Sequence, residues 1–460
     1  MLLKSKINEI KSILKSDSVL TNIEERYCYS VDASNVKNAG NISDLVVFVE
    51  TIEEVQQILK FANKYEIPVI ARGAGTNMVG ACLCNNGGIV LNFSKMNKII
   101  DIDINNSTVT VQPGVILGEL KSKVEELGFF YPPDPSNYKV STIGGSIAQS
   151  SGGAKAFKYG TTKDYVLSLK IVNSEGELIK LGSGTIKDSV GYHLAQLMVG
   201  SEGTLGIVVE ATLKIIPKPE TTQLIIAYYS TIKQAIDATN LILKSQIFPA
   251  SIDFMDKNSM ITVEDFMNCG LKTNFECVVL YEIDGSKTSV EEDTKKIEKL
   301  LINNGAEFVQ VPDKPTEELI WTARRSSYSA TTRLAPDVIS DDIIVPRNNL
   351  FEMITFCNIT ALKYGLKMCL VGHIGDGNIH PQIALNLNND NEFKNYMSFK
   401  SEIYAKVKEL NGSISAEHGV GLEKLPYLEN TIDKNAINYM KLIKKSFDPK
   451  NILNPGKIFN

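Results

Sequence analysis

The chain has 460 residues, 43% of them hydrophobic, and a formal net charge of −5 at pH 7. This length predicts two or three domains. The lack of a strongly basic block argues against a nucleic-acid partner. No apolar run approaches the ~20 residues that span a bilayer, so no transmembrane segment is expected. Seven cysteines without paired spacing indicate reduced thiols in a cytoplasmic protein rather than a disulfide framework.

The first predicted elements form a β-α-β unit. Residues 1–20 carry apolar side chains at helical spacing, interrupted by lysines, which predicts an N-terminal helix and no signal peptide. A buried strand at 46–49 is followed by Thr51 and, three residues later, Glu54, the signature of a capped helix start. A second strand at 68–71 completes the unit.

A glycine-containing loop follows this second strand directly. It consists of Arg72, Gly73, Ala74, Gly75, Thr76 and Asn77. Glycines at alternate positions let backbone N–H groups converge on an anion, and the arginine adds positive charge. A loop of this composition can also be a simple turn, and it lacks the Gly-x-Gly-x-x-Gly pattern of a dinucleotide fingerprint.

Further glycine clusters lie downstream of this loop. Strands are predicted at Ile89–Asn92, Ile99–Asp103 and 108–112, followed by a helix that Gly128 ends. Glycine clusters then occupy 142–145, 151–153, 158–160 and 200–206. One such cluster would indicate a turn, but the whole set predicts that several backbone segments approach one large, flat ligand. A phosphate-bearing cofactor is therefore expected.

The middle of the chain predicts an antiparallel sheet. The prolines at 217 and 219 end the first domain. The next elements are predicted in the order strand 224–229, helix 232–243, strand 251–255, strand 276–283, helix 290–303 and strand 307–311. This order is the split βαβ arrangement, in which helices cover one face of the sheet. The other face is expected to be free to cap a ligand.

Two of the chain's four histidines stand symmetrically about Asp376 and Gly377. Asp-Gly between apolar runs predicts a hairpin with a two-residue type I′ turn, which would place His373 directly opposite His380. Opposed side chains lie roughly 4.5–5.5 Å apart at Cβ, so the two imidazoles could bind one metal ion. Alternatively, the two rings stack or bond to the backbone.

Two more segments carry groups that suit an acid substrate. Arg324 follows Trp321 in a predicted helix, and a guanidinium can pair bidentately with a carboxylate, although most helical arginines are solvated. Glu417 and His418 precede two glycines that allow the backbone to approach a ligand. In isolation this pair could equally be a polar turn.

Together these motifs resemble the FAD-linked 2-hydroxyacid dehydrogenases of the vanillyl-alcohol-oxidase type. The resemblance spans nearly the whole chain and also includes the Pro-Pro-Asp-Pro-Ser run at 132–136 and the Gly-Ser-Glu-Gly-Thr-Leu-Gly run at 200–206. It implies an α+β fold with a two-part FAD-binding domain at 1–219, including the N-terminal helix. It also implies a substrate or cap domain at 220–412 with an antiparallel sheet covered by helices, and a C-terminal segment at 413–460 that packs back on the FAD domain.

The resemblance also implies which residues contact the FAD. They are Arg72, Gly73, Ala74, Gly75, Thr76, Asn77, Pro133, Asp134, Ser136, Thr142, Gly144, Gly145, Ser146, Ser150, Gly152, Gly153, Tyr159, Gly160, Glu202, Gly203, Gly206, Ile207 and Asn454. The first loop has no histidine to which FAD could be tethered, so non-covalent FAD is expected. The chain departs from the family at Ser150 or Ser151, where asparagine is common, and at His193, where aspartate is common. His193 is therefore expected to be a surface or structural residue.

The resemblance further implies the reaction. His373, His380 and Glu417 would bind one divalent metal ion, either zinc, manganese or iron, while His418 would act as the base and Arg324 would bind the substrate carboxylate. The expected substrate is a D-2-hydroxyacid, first D-lactate, which would give pyruvate, and next glycolate. D-2-hydroxyglutarate is less supported, because Tyr328 and Ser340 stand where contacts to a second carboxylate would be needed.

The electron acceptor is expected to be another protein. Nothing in the sequence resembles a nicotinamide site, and the family implies an electron-transfer flavoprotein or an iron-sulfur subunit, whose cluster this chain's cysteine spacing does not provide. Two readings from other classes stay open at this point. One is a metal-dependent hydrolase that uses the two histidines and the glutamate with a bound water, and the other is a non-catalytic electron-transfer or scaffold subunit.

Overall fold

The computed structural model describes residues 4–14, 16–35 and 41–459, so parts of the predicted N-terminal helix, residues 1–3 and 15, lie outside the described residues. The chain divides into two compact units. The first unit comprises Met1–Ser151, Thr161–Lys218 and Glu417–Asn460, and the second comprises Gly152–Gly160 and Pro219–Ala416. No helix within the described ranges combines the length and apolar character needed to cross a membrane.

The first unit begins with a four-stranded sheet in the order β1-β2-β4-β3. Its elements are α1 (Lys4–Ile13), β1 (Val19–Leu20), α2 (Ile23–Tyr27), β2 (Leu45–Phe48), α3 (Ile52–Tyr65), β3 (Val69–Arg72) and β4 (Ile89–Asn92). β2 and β3 both run parallel to β4. The predicted capping box of α3 is confirmed, because the Thr51 side chain accepts from the Glu54 N–H and the Glu54 side chain accepts from the Thr51 N–H.

A five-stranded antiparallel sheet in the order β5-β6-β10-β8-β9 completes this part of the first unit. Its strands and neighbouring elements are β5 (Ile99–Asp103), β6 (Thr108–Val111), α4 (Leu117–Glu125), β7 (Phe129–Phe130), α5 (Ile143–Gln149), β8 (Val166–Val172), β9 (Leu178–Leu181), α7 (Leu194–Met198), β10 (Ile207–Lys214) and β11 (Ile216–Pro217). Alternate residues of β10 are buried, as expected when one face of a strand packs on the core.

The C-terminal segment extends the first sheet. It contains α15 (Leu428–Thr431) and α16 (Lys434–Phe447). Beyond α16, the Val69 N–H donates to the Ile452 carbonyl (2.7 Å) and the Asn454 N–H donates to the Val69 carbonyl (2.9 Å), which adds a parallel bridge beside β3. Lys444 of α16 is buried and donates to the carbonyls of Thr204 and Leu453 and to the Asp448 carboxylate.

We predict that Lys444→Met destabilises the first unit by about 3 kcal/mol, the usual loss when one partner of a buried ion pair is removed. The variant would leave the buried Asp448 charge without its cation and the Thr204 and Leu453 carbonyls without a donor. Urea unfolding followed by circular dichroism measures the change. Lys445→Met, at an exposed position of the same helix, is the matched control, and equal losses in both variants would contradict the prediction.

The second unit is built on one eight-stranded sheet in the order β15-β12-β14-β13-β18-β19-β16, with β17 also paired to β19. The strands are β12 (Thr221–Tyr229), β13 (Ser251–Asp256), β14 (Cys277–Gly285), β15 (Phe308–Gln310), β16 (Asp337–Ser340), β17 (Ile343–Ile344), β18 (Lys367–His373) and β19 (Asn378–Leu385). The helices are α6 (Ala156–Tyr159), α8 (Ile232–Lys244), α9 (Lys257–Met267), α10 (Lys287–Asn303), α11 (Lys314–Arg325), α12 (Ser327–Thr331), α13 (Leu350–Lys363) and α14 (Asp390–Glu409).

The predicted split βαβ elements are all present, but the prediction of a free sheet face is wrong. On one face, the Tyr281 hydroxyl of β14 lies 3.0 Å from the Thr239 hydroxyl of α8. On the other face, Leu280 belongs to a buried cluster with Met260 of α9 and Trp321 of α11. Helix α9 was not predicted, and together with α11 it covers the face that the sequence left open.

Candidate functional site

A cleft of about 140 Å³ opens in the first unit, between the loop after β3 and the start of α5. Of the predicted cofactor residues, those that line it are Gly73, Ala74, Gly75, Thr76, Asn77, Ser136, Thr142, Gly145, Ser146, Glu202 and Gly203. The predicted metal ligand Glu417 and the predicted base His418 also line this cleft. A neighbouring cavity is lined by Arg72, Gly144, Gly206 and Ile207.

Two glycines explain how the backbone segments around the cleft approach so closely. A Cβ atom at Gly73 would lie 2.2 Å from the Thr142 hydroxyl, and that hydroxyl caps α5 by accepting from the Gly145 N–H at 3.2 Å. Gly75 adopts a φ of +74°, and its Cβ would lie 2.1 Å from an Arg72 guanidinium nitrogen. The cleft is thus lined by backbone at the first loop, which suits a large planar ligand.

The guanidinium of Arg72 lies beneath the loop to which it was predicted to add positive charge. It donates to the backbone carbonyls of Val31 (2.7 Å) and Tyr29 (3.4 Å), and it lies 5.6 Å from the centre of the Tyr29 ring. These contacts tie the loop to the N-terminal segment. Contact between Arg72 and the cofactor stays a prediction.

Residues of the Gly-Ser-Glu-Gly run and the C-terminal segment hold the wall of the cleft. The buried Glu202 carboxylate accepts from the Val420 N–H (2.6 Å) and the Gly421 N–H (2.9 Å); burial raises the pKa of Glu202 to about 7, against the lowering effect of those bonds. The Asn454 side chain donates to the carbonyls of Glu202 (2.7 Å) and Ala81 (2.9 Å). The predicted contacts Pro133, Asp134, Ser150 and Asn454 are not among the residues that line these two cavities.

The Asn77 side chain, in the first loop, donates to the His418 carbonyl at 3.3 Å. The segment that carries Glu417 and His418 is therefore held at its backbone from two sides, by Asn77 and by Glu202. The sequence pointed to Asn77 and Glu202 as cofactor contacts, and it gave no sign that their side chains would position this segment.

Four predicted cofactor residues, Gly152, Gly153, Tyr159 and Gly160, belong to the second unit. Their segment is anchored there by charge: Lys155 lies 2.7 Å from the Glu282 carboxylate, and both Lys158 and the Tyr159 hydroxyl bond to Asp284. Of the four, Tyr159 therefore contacts β14 directly. Their contact with a cofactor stays a prediction.

The histidine hairpin exists, but its predicted register is wrong. His373 pairs with Asn378, and His380 pairs with Val371, so the two histidines are diagonal rather than opposed. The loop covers 374–377, and the His373 carbonyl accepts from the N–H groups of Asp376 and Gly377, both at 3.2 Å. Only Gly377 has a positive φ, whereas a type I′ turn needs two such residues.

The two imidazoles nevertheless lie close together, with ring centres 5.4 Å apart and planes at 81°. Diagonal neighbours on one face of a sheet remain within reach of long side chains. His373 Nδ1 lies 2.7 Å from the Asp253 carboxylate, and His380 Nδ1 lies 3.2 Å from the Asp341 carbonyl. Metal-binding histidines characteristically bond through one nitrogen to such acceptors and ligate through the other, so this pair fits a metal site.

Arg324 is buried against the same aspartate. Its Nε lies 2.8 Å from Asp253 Oδ2, and both Nε and Nη2 are buried without a hydrogen bond of good geometry in the described structure. Burial raises the pKa of Asp253, but His373 and Arg324 outweigh this effect and hold that pKa below its usual value. Asp253 was missed from the sequence, although an aspartate between Ile252 and Phe254 in a buried strand is a signal, since buried charges need partners.

Asp342 is a second carboxylate that the sequence did not single out. It is fully buried and accepts from the Asn378 side chain (2.9 Å), the Ser415 hydroxyl (3.1 Å) and the Ala416 N–H (2.9 Å). Asn378 belongs to the histidine hairpin, and Ala416 is the residue before Glu417. The acid therefore anchors the hairpin and the end of the second unit to each other.

We predict that Gly375→Ala destabilises the second unit by about 1–3 kcal/mol through overpacking. A Cβ at this position would lie 2.9 Å from the Phe157 ring, so the hairpin loop would have to move. Phe157→Leu in the same chain should recover part of the loss, and a double-mutant cycle of urea midpoints measures the coupling. Additive losses would contradict the packing explanation.

The sequence of the chain is similar to known families and proteins. Residues 218–458 match the family model for the C-terminal domain of FAD linked oxidases, and residues 43–182 match an FAD binding domain. The chain is 43% identical over 435 residues to glycolate oxidase subunit GlcD of Bacillus subtilis (strain 168), covering 94% of this chain and 92% of that protein. It is 35% identical to a D-lactate dehydrogenase of Anaerostipes hadrus, covering 90% and 89% of the two chains.

A solved structure shares the fold of this chain. p-Cresol methylhydroxylase with its substrate bound aligns with a TM-score of 0.82 at 15% identity, covering 99% of this chain and 97% of that one. At this identity the likeness concerns the fold alone, and it confirms the expected vanillyl-alcohol-oxidase type.

Proposed function

Because the chain belongs to the family of FAD-linked 2-hydroxyacid dehydrogenases, we propose that this FAD-dependent oxidoreductase converts a short 2-hydroxyacid to the 2-oxoacid. The observation that carries the proposal is the buried cluster of Arg324, Asp253 and His373, in which one carboxylate contacts both an arginine of α11 and a histidine that lies beside His380 on the sheet. Bound FAD would supply the hydride acceptor for this oxidation.

Arg324 is the proposed binding group for the substrate carboxylate. Its Nη2 is buried without a partner in the part of the chain that is described, and an unsatisfied buried donor is costly unless a ligand completes it. A carboxylate is the natural complement of a guanidinium, because the two make charge-assisted hydrogen bonds. This arginine would fix the position of the acid.

The second proposed element is a divalent metal held by His373, His380 and Glu417. The two histidine rings have the spacing and the bonded Nδ1 atoms of such a site, and Asp342 fixes the backbone of Ala416 next to Glu417. Two histidines and one carboxylate suit zinc, manganese or iron. A metal there would favour ionisation of the substrate hydroxyl.

His418 is the proposed general base for the hydroxyl proton. It follows Glu417 directly and lines the cleft of the first unit, and its backbone carbonyl is held by Asn77. Imidazole is the side chain that most often accepts protons near neutral pH. Arg324 would thus hold the acid while His418 removes the proton from its hydroxyl oxygen.

Glycolate and D-lactate are the proposed substrates. One relative is named a glycolate oxidase subunit and another a D-lactate dehydrogenase, and each aligns with most of this chain. A dicarboxylate is less supported, because the Tyr328 hydroxyl donates to the Val338 carbonyl at 3.1 Å and is thus engaged by the backbone.

All seven cysteines are free thiols, so an iron-sulfur acceptor would bring its own cluster. We propose a separate electron-accepting protein, either an electron-transfer flavoprotein or an iron-sulfur subunit, in the cytoplasm.

Anaerobic titration of the purified holoprotein tests the activity. We expect D-lactate or glycolate to bleach the flavin absorbance, while L-lactate and D-2-hydroxyglutarate at equal concentration leave it unchanged. Release of the flavin by acid precipitation should accompany this result, because the FAD is proposed to be non-covalent. A flavin that no 2-hydroxyacid bleaches would contradict the proposal and favour a non-catalytic subunit.

The role of His418 gives a separate prediction. His418→Ala should retain FAD and metal but lower the rate of substrate-dependent bleaching by about 10²–10⁴, the usual contribution of a general base. Stopped-flow absorbance measures the rate, and metal analysis checks occupancy. His193→Ala, at an exposed histidine, is the matched control. Bleaching at the wild-type rate would remove His418 from the mechanism.

A further inference from the structure

Asp253 is a buried carboxylate that contacts two site residues at once. Its Oδ1 lies 2.7 Å from His373 Nδ1, and its Oδ2 lies 2.8 Å from Arg324 Nε. The side chain is nearly inaccessible, at 1% exposure for the residue. The contact with His373 is built into the sheet, because Asp253 of β13 and His373 of β18 are partners in the antiparallel register.

We propose that Asp253 is a positioning residue that serves both halves of the site: it orients His373 for the metal and Arg324 for the substrate carboxylate. The inference rests on the proposed function, which gives His373 and Arg324 those two tasks. It goes further in assigning both orientations to one carboxylate, so that a single change should weaken metal binding and acid binding together.

On the histidine side, the carboxylate selects the tautomer. A bond from Nδ1–H of His373 to Asp253 leaves Nε2 as the nitrogen that carries a lone pair for a metal. It also fixes the rotation of the ring, which lies 5.4 Å from the His380 ring. Loss of such an outer partner typically costs 10–100-fold in metal affinity.

On the arginine side, the carboxylate holds one edge of the guanidinium. Nε lies 2.8 Å from Asp253 Oδ2 as an ion pair, and neither Nε nor Nη2 makes a hydrogen bond of good geometry among the described residues. The ion pair with Asp253 therefore neutralises the guanidinium while the buried Nη2 donor stays available to a ligand.

The energetics of buried ion pairs also argue against a purely structural role for Asp253. A buried ion pair contributes little net stability, since desolvation offsets the attraction between its charges. Here the acid instead joins elements that carry function, namely β13, β18 and α11. The arrangement is that of an outer support for a binding site.

The test uses the full-length holoprotein and the variant Asp253→Asn, which keeps the size of the side chain. Affinity for Zn²⁺ is measured after metal removal, by competition with a chromophoric chelator, and we expect it to fall 10–100-fold. KM is then measured at saturating Zn²⁺ with a dye as electron acceptor. We expect KM to rise on the order of tenfold, the loss of about one hydrogen bond to a charged group, even though the metal site is full.

Asp256→Asn is the matched control. Asp256 is also a buried acid of β13, but its hydrogen bonds go to Ser259 and Leu370. This variant should change neither the Zn²⁺ affinity nor KM by more than about twofold, although it can lower stability through the lost helix cap. Equal effects in the two variants would show a general structural defect and would overturn the proposal.

A second pair of variants keeps the test decisive if Asp253→Asn does not fold. Asp253→Asn with Arg324→Gln leaves no unpaired charge in the buried cluster, and breaking only one side of such a pair is the costly change. The Zn²⁺ affinity of this double variant is compared with that of Arg324→Gln alone. The same 10–100-fold difference is expected, and an unchanged affinity would overturn the role at His373.

The outcomes separate this inference from the proposed function. If D-lactate and glycolate fail to bleach the wild-type flavin, the function is wrong, and the Zn²⁺ measurement still reports on Asp253. If the wild type is active and Asp253→Asn binds Zn²⁺ normally, the inference fails while the function stands. If saturating Zn²⁺ restores KM completely, Asp253 serves the metal half only, and the dual role is overturned.

Discussion

The candidate site in the second unit depends on the burial of one negative charge. A carboxylate withdrawn from water costs several kcal/mol unless cations and donors surround it, and Asp253 is fully enclosed in β13. Its partners come from a different strand, β18, and from a helix, α11. The electrostatic requirement therefore adds a precise condition to the apolar packing: His373 and Arg324 must reach the same acid. Apolar packing alone tolerates small shifts of helix against sheet, but a shared carboxylate does not.

The first unit solves a related problem with backbone groups. Its cleft is lined by loops whose N–H and carbonyl groups must still find partners. Glu202 and Asn454 supply several of them, although these residues are far apart in sequence. Gly73 acts through the absence of a side chain. The space that a Cβ atom would take is occupied by the Thr142 hydroxyl, which caps α5. The side chains of Glu202 and Asn454 thus bond to the backbone of the loops, and the glycines leave the cleft side of the first loop open to a ligand.

The histidine hairpin shows what local rules can and cannot predict. The Asp-Gly pair correctly indicated a turn between two strands, and proximity of the histidines followed. The register was wrong because the Val345 N–H donates to the Gly377 carbonyl at 3.2 Å, and β17 pairs with β19 at the same end. The turn is therefore a neighbour in a larger sheet and not an isolated hairpin. The unpredicted helix α9 has a similar explanation, since its buried face matches a sheet surface that local patterns do not reveal.

The sequence by itself determined the family, the FAD-binding motifs, the order of the split βαβ elements and the residue types of the site. The order of the elements follows from local periodicity and turn chemistry, which are encoded within short segments, whereas the family and its FAD-binding motifs follow from the resemblance to known proteins. Only the tertiary structure decided that Arg324 and His373 share Asp253, that Asp342 anchors Ala416, and that Arg72 bonds to the carbonyls of Val31 and Tyr29. Such choices depend on which buried charge or donor meets which partner across long stretches of chain, and no local pattern fixes that pairing.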